Sequence, residues 1–511
     1  MPAGAAHGHH SELAHRGLGI DDYMSNTTTL EMLPPDVLTA ILASVDSVHQ
    51  LGKAACVNVE FHNRFVEAAL RLRAEERGEY ITAKLPKGAK SWVQHLCWCE
   101  RRLIPPCPIA AAAMHSGFVD ADGQLLTCGI DVREHGILGL GAGVTAQALP
   151  TLTQPLPLPE RVISVAAHSM HTLCLTESGA VYSFGHGAYG KLGHGNEVTL
   201  WAPSRIQALE DVRIVAVTAG QQHNLVLSDC GIVYSFGSGF GGKLGHGQQT
   251  TALEPARITA LGNARVAAVA AGAFHSLVST REEGALMTFG YGAAGQLGHG
   301  ERKDELSPRR VASLAGVRVV GMAGGEHHSL VVDDAGIAYS FGAGEAAERG
   351  GWLGGWLGHG SHDEQRLPKS IAAFGGRRVI AVAAGSRHSI LLVDGGEVYT
   401  CGDGACGKLG HGDTCFQWTP KRVKDLAGEE VVAISAGESH SLCALRGGRV
   451  FGWGSGAVGL GSRLVEYPVV PLMGSAGNYE WAPGDVLRRH QTHVPLELEF
   501  PEADPPVTGA A

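Results

Sequence analysis

Repeated histidines are the residues of this chain best placed to do chemistry. His171, His223, His275, His328, His388 and His440 each follow a tight small-residue turn and open an apolar run. Neutral imidazole is a common metal ligand, so a metal centre is the first reading to weigh. Each histidine holds the same place in its own copy of a repeat, however, so the set is spread around an array and does not converge. A histidine after a Gly turn can instead bond neighbouring backbone and lock a strand, and the six are read as structural. His194, His246, His299, His359 and His411, each within a Leu-Gly-His-Gly segment, are read as turn residues tying one unit to the next. Cys97 and Cys99 have one residue between them, too few for the two to four common in zinc sites, and with Cys107 as a third cysteine no fourth ligand is evident. The glycine-rich run from Gly350 to Trp356 lacks the Lys-Ser/Thr ending of a phosphate-binding loop. No nucleophile, base and orienting group recur at a catalytic spacing. The expectation is a non-enzymatic protein without metal or cofactor.

The elements that must position these residues come from the repeat itself. Ala216 to Leu227, with His223 inside it, leads to Gly231-Ile232-Val233-Tyr234-Ser235-Phe236-Gly237, then Gly242-Lys243-Leu244-Gly245-His246-Gly247, then Pro255-Ala256-Arg257-Ile258. The order recurs, and a degenerate first copy runs from Ile109 through His115 to Gly141, which makes seven. His171 to His223 is 52 residues, His223 to His275 is 52 and His275 to His328 is 53. His388 to His440 is again 52, while His328 to His388 is 60 because the loop after Gly344 is longer. A beat of this length suits one four-stranded propeller blade, since four strands of ~5–6 residues plus turns use it up. Val-x-x-Val-Ala-Ala-Gly is small and β-branched, as an innermost strand must be. His-Ser-Leu-x-Leu alternates, and the Val-Tyr-Ser-Phe run is bounded by glycines. Pro203, Pro255, Pro308, Pro368 and Pro420 are read as opening an outer strand, where a missing donor is tolerated.

Composition agrees with many tight turns in an ordered array. Gly numbers 72 of 511 residues, twice the ordinary share of ~7%, and 44% apolar content argues against disorder. The net charge of −10 speaks against direct nucleic-acid binding through phosphates. No run approaches the ~18 apolar residues of a membrane span, and Met1 to Gly19 holds no signal-peptide core. Cys128, Cys174, Cys401 and Cys443 fall at strand-like positions and read as reduced, buried hydrophobes. An intracellular location, cytoplasmic or nuclear, is expected.

The Ala-Ala-Gly-x-x-His-Ser-Leu, Val-Tyr-Ser-Phe-Gly and Gly-Lys-Leu-Gly-His-Gly segments resemble the regulator-of-chromosome-condensation repeat, over about residues 107 to 472. The resemblance implies a mainly β, seven-bladed propeller. It also implies a ring closed by strands from both ends sharing a blade, with Val469 to Leu472 beside Ile109. In front, Leu33-Pro34-Pro35-Asp36-Val37-Leu38 with Ile41, Leu42, Leu51, Val57 and Phe61 resembles an F-box, departing from it at Gly52 and in lacking a basic residue beside Val57-Asn58. That resemblance implies a small three-helix module in which Leu33, Pro34, Val37, Ile41, Leu42, Leu51, Val57 and Phe61 dock on a Skp-type adaptor of a cullin-based ubiquitin ligase. The expected layout is a disordered 1–28, the F-box-like module at 29–78, a helical linker at 79–106, the propeller at 107–474 and a C-terminal tail at 475–511.

Partner-binding candidates follow from variation on a constant frame. The two residues before each repeat histidine change from copy to copy, which singles out Gln221, Gln222, Phe274, Glu326, Arg387 and Glu438. Light-sensing members of the family carry Trp-Arg there, and no Trp stands at any of these positions, which speaks against photoreception. Trp352 and Trp356, on the long loop, are expected to be exposed contact residues. The chain is thus expected to be a scaffold for protein partners, selecting substrates for ubiquitination. The alternative is nucleotide exchange on a small GTPase or a role at chromatin.

Overall fold

The computed structural model describes residues 108–455, except 121, 132, 154–157, 159, 345–354 and 447, together with the backbone of Gln491–Glu497. The chain divides into two units, Met1–Leu103 and Ile104–Ala511. The F-box-like candidates Leu33, Pro34, Val37, Ile41, Leu42, Leu51, Val57 and Phe61 lie outside the described residues, and so does Trp352.

Seven four-stranded antiparallel sheets follow one another along the second unit. In blade three the inner strand is Ile214–Ala219, the second His223–Ser228, the third Val233–Gly237 and the outer Ala252–Arg257. His223 pairs with Gly237 across the second and third strands. The turn before His223 and the loop after Gly237 therefore open on the same face, called here the upper face. Gly237 has φ 109, and a Cβ there would strike the Gln222 carbonyl and the His223 backbone. A side chain is excluded at this point on both counts.

The core lies between blades. Leu173, Leu175 and Val181 of blade two pack with Ile214, Ala219, Val226 and Phe236 of blade three, and equivalent layers fill the other joints. Phe184, Phe236, Phe289 and Phe341, one per blade at the end of the third strand, are wholly buried. Burial of such a ring is worth roughly 1.5–3 kcal/mol; Trp453 holds the place in blade seven, and the smaller Cys128 and Cys401 hold it in blades one and six.

Ring closure differs from the expectation. Blade one contains all four of its own strands, from Ile109–Ala111 to Ala146–Leu152, and shares none with the far end of the chain. The joint between blades seven and one is an ordinary inter-blade layer of Ile109, Ala111, Phe118, Leu126, Cys128, Leu442, Ala444 and Val450. Ala111 N–H also donates to Ser435 Oγ at 2.9 Å across it. The outer strand of blade seven is Gln491–Glu497, inside the stretch read as a tail, whereas 469–472 lie outside the described residues. The reading missed it because some 35 residues separate this strand from Ser455, where other blades use a short loop.

The prolines do not open the outer strands. Pro203, Pro255, Pro308, Pro368 and Pro420 each stand fourth in a six-residue strand. Pairing with the third strand shifts register there, as between Ser183 and Gly185. A bulged edge strand has no ladder bond to lose to the missing N–H.

Candidate functional site

The inner strands of seven blades converge, so their terminal turns surround the axis at the upper face. Ala113, Ser169, Gln221, Ala273, Glu326, Ser386 and Glu438 hold one equivalent position in the seven turns, and all line a single axial opening of about 500 Å³ including open solvent. Three of the candidates, Gln221, Glu326 and Glu438, are thus brought together. Glu326 accepts a hydrogen bond from Ser386 Oγ of the next blade, and its carboxylate lies 3.6 Å from His327 Nε2. His168 also lines the opening, at a place that is Gly in most other blades, and burial holds its imidazole down at about 4.

The neighbouring turn position points elsewhere. Phe274 leaves the axis and packs edge-on against Tyr291 (6.1 Å between centroids) and face-on against His327 (5.7 Å). Tyr291 in turn stacks on Phe240, which makes an aromatic band across blades three to five. Gln222 and Arg387 are half-buried in their turns and do not line the opening. Trp356 is not an exposed contact residue. It is 2% exposed, its indole N–H donates to the Ala343 carbonyl, and it fills the place held by Lys243 in blade three. The doubled Gly-Gly-Trp-Leu segment hides this, because its second copy is the one that keeps the repeat register.

The six repeat histidines, and His115 as a seventh, each make a buried bond to the following blade. His115 bonds Thr172 Oγ1 (2.7 Å), His171 bonds Asn224 Oδ1 (2.7 Å) and His223 bonds Ser276 Oγ (2.9 Å). His275 bonds Ser329 Oγ (2.7 Å), His328 bonds Ser389 Oγ (3.1 Å) and His388 bonds Ser441 Oγ (2.9 Å). His440 closes the circle on Ser116 Oγ at 2.9 Å. Every bond uses Nε2 and crosses to the following blade. The tautomer follows from the acceptors. Asn224 Oδ1 can only accept, and its Nδ2 donates to the Lys191 carbonyl at 2.7 Å. Ser276 Oγ donates to the Lys243 carbonyl at 2.7 Å, so it must accept from His223. The rings of His171, His223, His275, His328 and His388, whose partners all pass a bond on to a carbonyl, therefore carry a proton on Nε2. Burial is the main cause that pushes His115, His275 and His328 down to about 3 and His440 to about 4. Among the described residues, no group of three or more His, Cys, Asp or Glu is placed to hold a metal ion.

The second histidine set acts within a blade. His194, His246, His299, His359 and His411 bond Ser183, Ser235, Thr288, Ser340 and Thr400 of their own third strands at 2.8–3.0 Å. The expected tie to the next blade comes from the adjacent backbone instead, as where Gly195 N–H donates to the Leu253 carbonyl at 3.0 Å.

Sequence reasoning overlooked three buried lysines at the upper face, Lys191, Lys243 and Lys408, although a charge between Gly and Leu in an otherwise uncharged motif was the available signal. Lys408 pairs with Asp403 at 2.6 Å. Lys191 Nζ donates to His186 Nδ1 at 3.1 Å, and that ring lies 4.3 Å from His135. Lys243 Nζ stands 5.7 Å from the centroid of Phe240, which is 60% exposed. Desolvation brings both Lys191 and Lys243 down to about 8. Beside Lys191, Tyr189 is 47% exposed and has φ 63, where the next blade has Gly241 at φ 69. That left-handed backbone costs a non-glycine residue roughly 1–2 kcal/mol.

The RCC1-like domain model matches residues 93–424, and an RCC1 repeat model matches 431–459. The chain is 34% identical to Ultraviolet-B receptor UVR8 of Arabidopsis thaliana over 69% of its own length and 77% of the receptor. It is 36% identical to the human E3 ubiquitin-protein ligase HERC2 over 58% of its own length but only 6% of that far longer protein. Among solved structures, human WBSCR16 is matched at TM-score 0.57 and 26% identity, covering 65% of this chain and 84% of that one. Prp20p of Saccharomyces cerevisiae is matched at TM-score 0.60 and 21% identity, covering 81% and 91%. With the seven sheets and the matched repeats in agreement, this chain belongs to the RCC1-like domain family.

Proposed function

We propose that the chain is a protein-interaction scaffold without catalytic activity of its own, which uses the upper face of its propeller to recognise a partner protein. One observation carries this reading. The histidine relay is the same in all seven joints, while the turn residues it holds in place differ in chemistry from blade to blade. A rigid frame presenting varied side chains on one face suits recognition. Relatives point the same way: 6% of the length of HERC2, an E3 ubiquitin-protein ligase, matches this chain, and Prp20p is described with binding to Gsp1p and histones.

The finer reading is a substrate receptor of a cullin-type ligase. Leu33, Pro34, Val37, Ile41, Leu42, Leu51, Val57 and Phe61 would dock on a Skp-type adaptor, and the upper face would select the protein to be modified. Proximity labelling of the full chain in cells, compared with a Leu33→Ala/Ile41→Ala variant and with a Gln221→Ala/Glu326→Ala/Glu438→Ala variant, tests both levels. The expected result is loss of Skp and cullin neighbours in the first variant and of other partners in the second. Small GTPases or histones as the dominant neighbours, with no Skp-type adaptor, would replace the ligase reading by one of exchange or chromatin association. Unchanged neighbours in the second variant would remove the upper face as the recognition surface.

A further inference from the structure

We infer that the upper face over blades two and three binds an acidic segment of a partner protein, whose carboxylates take at Lys191 and Lys243 the place that Asp403 takes at Lys408. This deepens the scaffold reading and rests on it.

The repeat supplies its own control. Asp403 directly follows Gly402 at the end of the third strand of blade six, and it reaches Lys408 at 2.6 Å. The residues following the equivalent glycines are His186 in blade two and Ser238 in blade three. Neither can neutralise an ammonium. Lys191 is 3% exposed and Lys243 is 1% exposed. The first meets only an imidazole nitrogen, and the second meets the face of Phe240. An enclosed cation with no counter-charge is unfavourable to folding. The fold does not require lysine here, because Gln296 fills the same position in blade four and Trp356 in blade five, both buried. Two adjacent blades thus keep a buried ammonium at the upper face without the carboxylate that completes it in blade six.

The surroundings fit an acidic polypeptide. The loop from residue 238 to 251 contains no Asp or Glu, and that from 186 to 199 contains only Glu197, in a chain whose net charge is −10. Tyr189 and Phe240 stand exposed beside the two lysines and offer apolar contact to neighbouring side chains of a bound segment. Tyr189 does so from a left-handed backbone that glycine would occupy without strain, and strain of this kind gathers at binding sites. The two ammonium groups belong to separate blades and do not converge on one point. That arrangement suits carboxylates spaced along an extended chain better than a single phosphate, which is held by several donors at once.

The test uses the full chain and three probes: a labelled peptide of Glu-Gly-Glu-Leu repeats, its Gln-for-Glu counterpart, and inorganic phosphate as competitor. Fluorescence anisotropy should show the Glu peptide binding at least tenfold more tightly than the Gln peptide, with affinity falling as salt rises. The Lys191→Gln/Lys243→Gln variant, which copies the natural Gln296, should lose at least tenfold. Lys369→Gln/Lys424→Gln, equal in charge change but on exposed positions elsewhere, should not. If the double glutamine variant fails to fold by near-ultraviolet circular dichroism, Lys191→Met/Lys243→Met keeps the stem packing and serves in its place. Equal binding of the Gln peptide, undiminished binding by the folded double variant, or full displacement by phosphate alone would overturn the assignment. Loss of the acidic site while proximity labelling still depends on Gln221, Glu326 and Glu438 would leave the scaffold reading standing; loss of both would remove it.

Discussion

At the scale of single residues, the three buried lysines separate stability from recognition. Lys408 and Asp403 are 5% and 8% exposed at the side chain and neutralise each other. Replacing Lys408 by Met strands a buried carboxylate, for which a loss of about 3–5 kcal/mol is expected. Lys243→Met removes a charge that desolvation opposes, so its thermal midpoint should equal or exceed that of the parent. The pH dependence has a definite sign. Lys243 titrates at about 8 in the fold against an ordinary 10.5. Between those values the unfolded chain holds more protons, so stability should rise with pH across that window. Thermal melts at pH 8 and pH 10 should show a smaller alkaline gain in Lys243→Met than in the parent; an identical gain would mean that this lysine is not desolvated.

At the scale of the element, the unit that matters is the joint between consecutive blades, and the single sheet comes second to it. Each joint combines an apolar layer with one imidazole donating across the gap to a hydroxyl or amide, which in five joints passes the bond on to a loop carbonyl. Ser276→Ala leaves both His223 Nε2–H and the Lys243 carbonyl without partners, and a loss of about 2 kcal/mol or more is expected for two such buried groups. Chemical denaturation of the purified variant measures it. Gly220 stands at the same joint, where a Cβ would run into the His223 ring and the Gly272 carbonyl of the next blade. Glycine at this place is a matter of contact, since its φ is not in the left-handed region.

At the scale of the whole molecule, the relay runs through all seven blades and returns to its start at Ser116. Because the closing joint is built like the others, Ser116→Ala should destabilise the ring about as much as Ser276→Ala. A much smaller loss would show that closure depends on something other than this joint. The buried histidines also give the ring an acid limit. Their folded values of about 3 to 4 lie below the ordinary 6.5, so the unfolded chain takes up protons first. Stability is fully present above pH 6.5 and is lost as pH falls toward 4. Melts at pH 7.5 and pH 5 should show a lower midpoint at pH 5; a midpoint independent of pH would contradict the neutral, enclosed relay.

The amino-acid sequence alone determined the seven units, the order of strands within each and the turn that carries variable residues. These depend on short-range spacing, alternation and glycine placement, which recur in every copy. It also marked the histidines as structural, since residues repeated around a ring cannot share a ligand. Tertiary structure decided whatever depends on the neighbouring blade. The imidazole proton goes to the next sheet, Trp356 turns inward to replace a lysine, and the outer strand of blade seven arrives from beyond residue 490. Asp403 stands five residues before Lys408 where His186 precedes Lys191 and Ser238 precedes Lys243, but only the packed turn shows that all three lysines are buried and that Asp403 reaches Lys408. Local pattern fixes backbone conformation, whereas the bonds that cross each joint are made to residues some fifty positions away, which no single repeat contains.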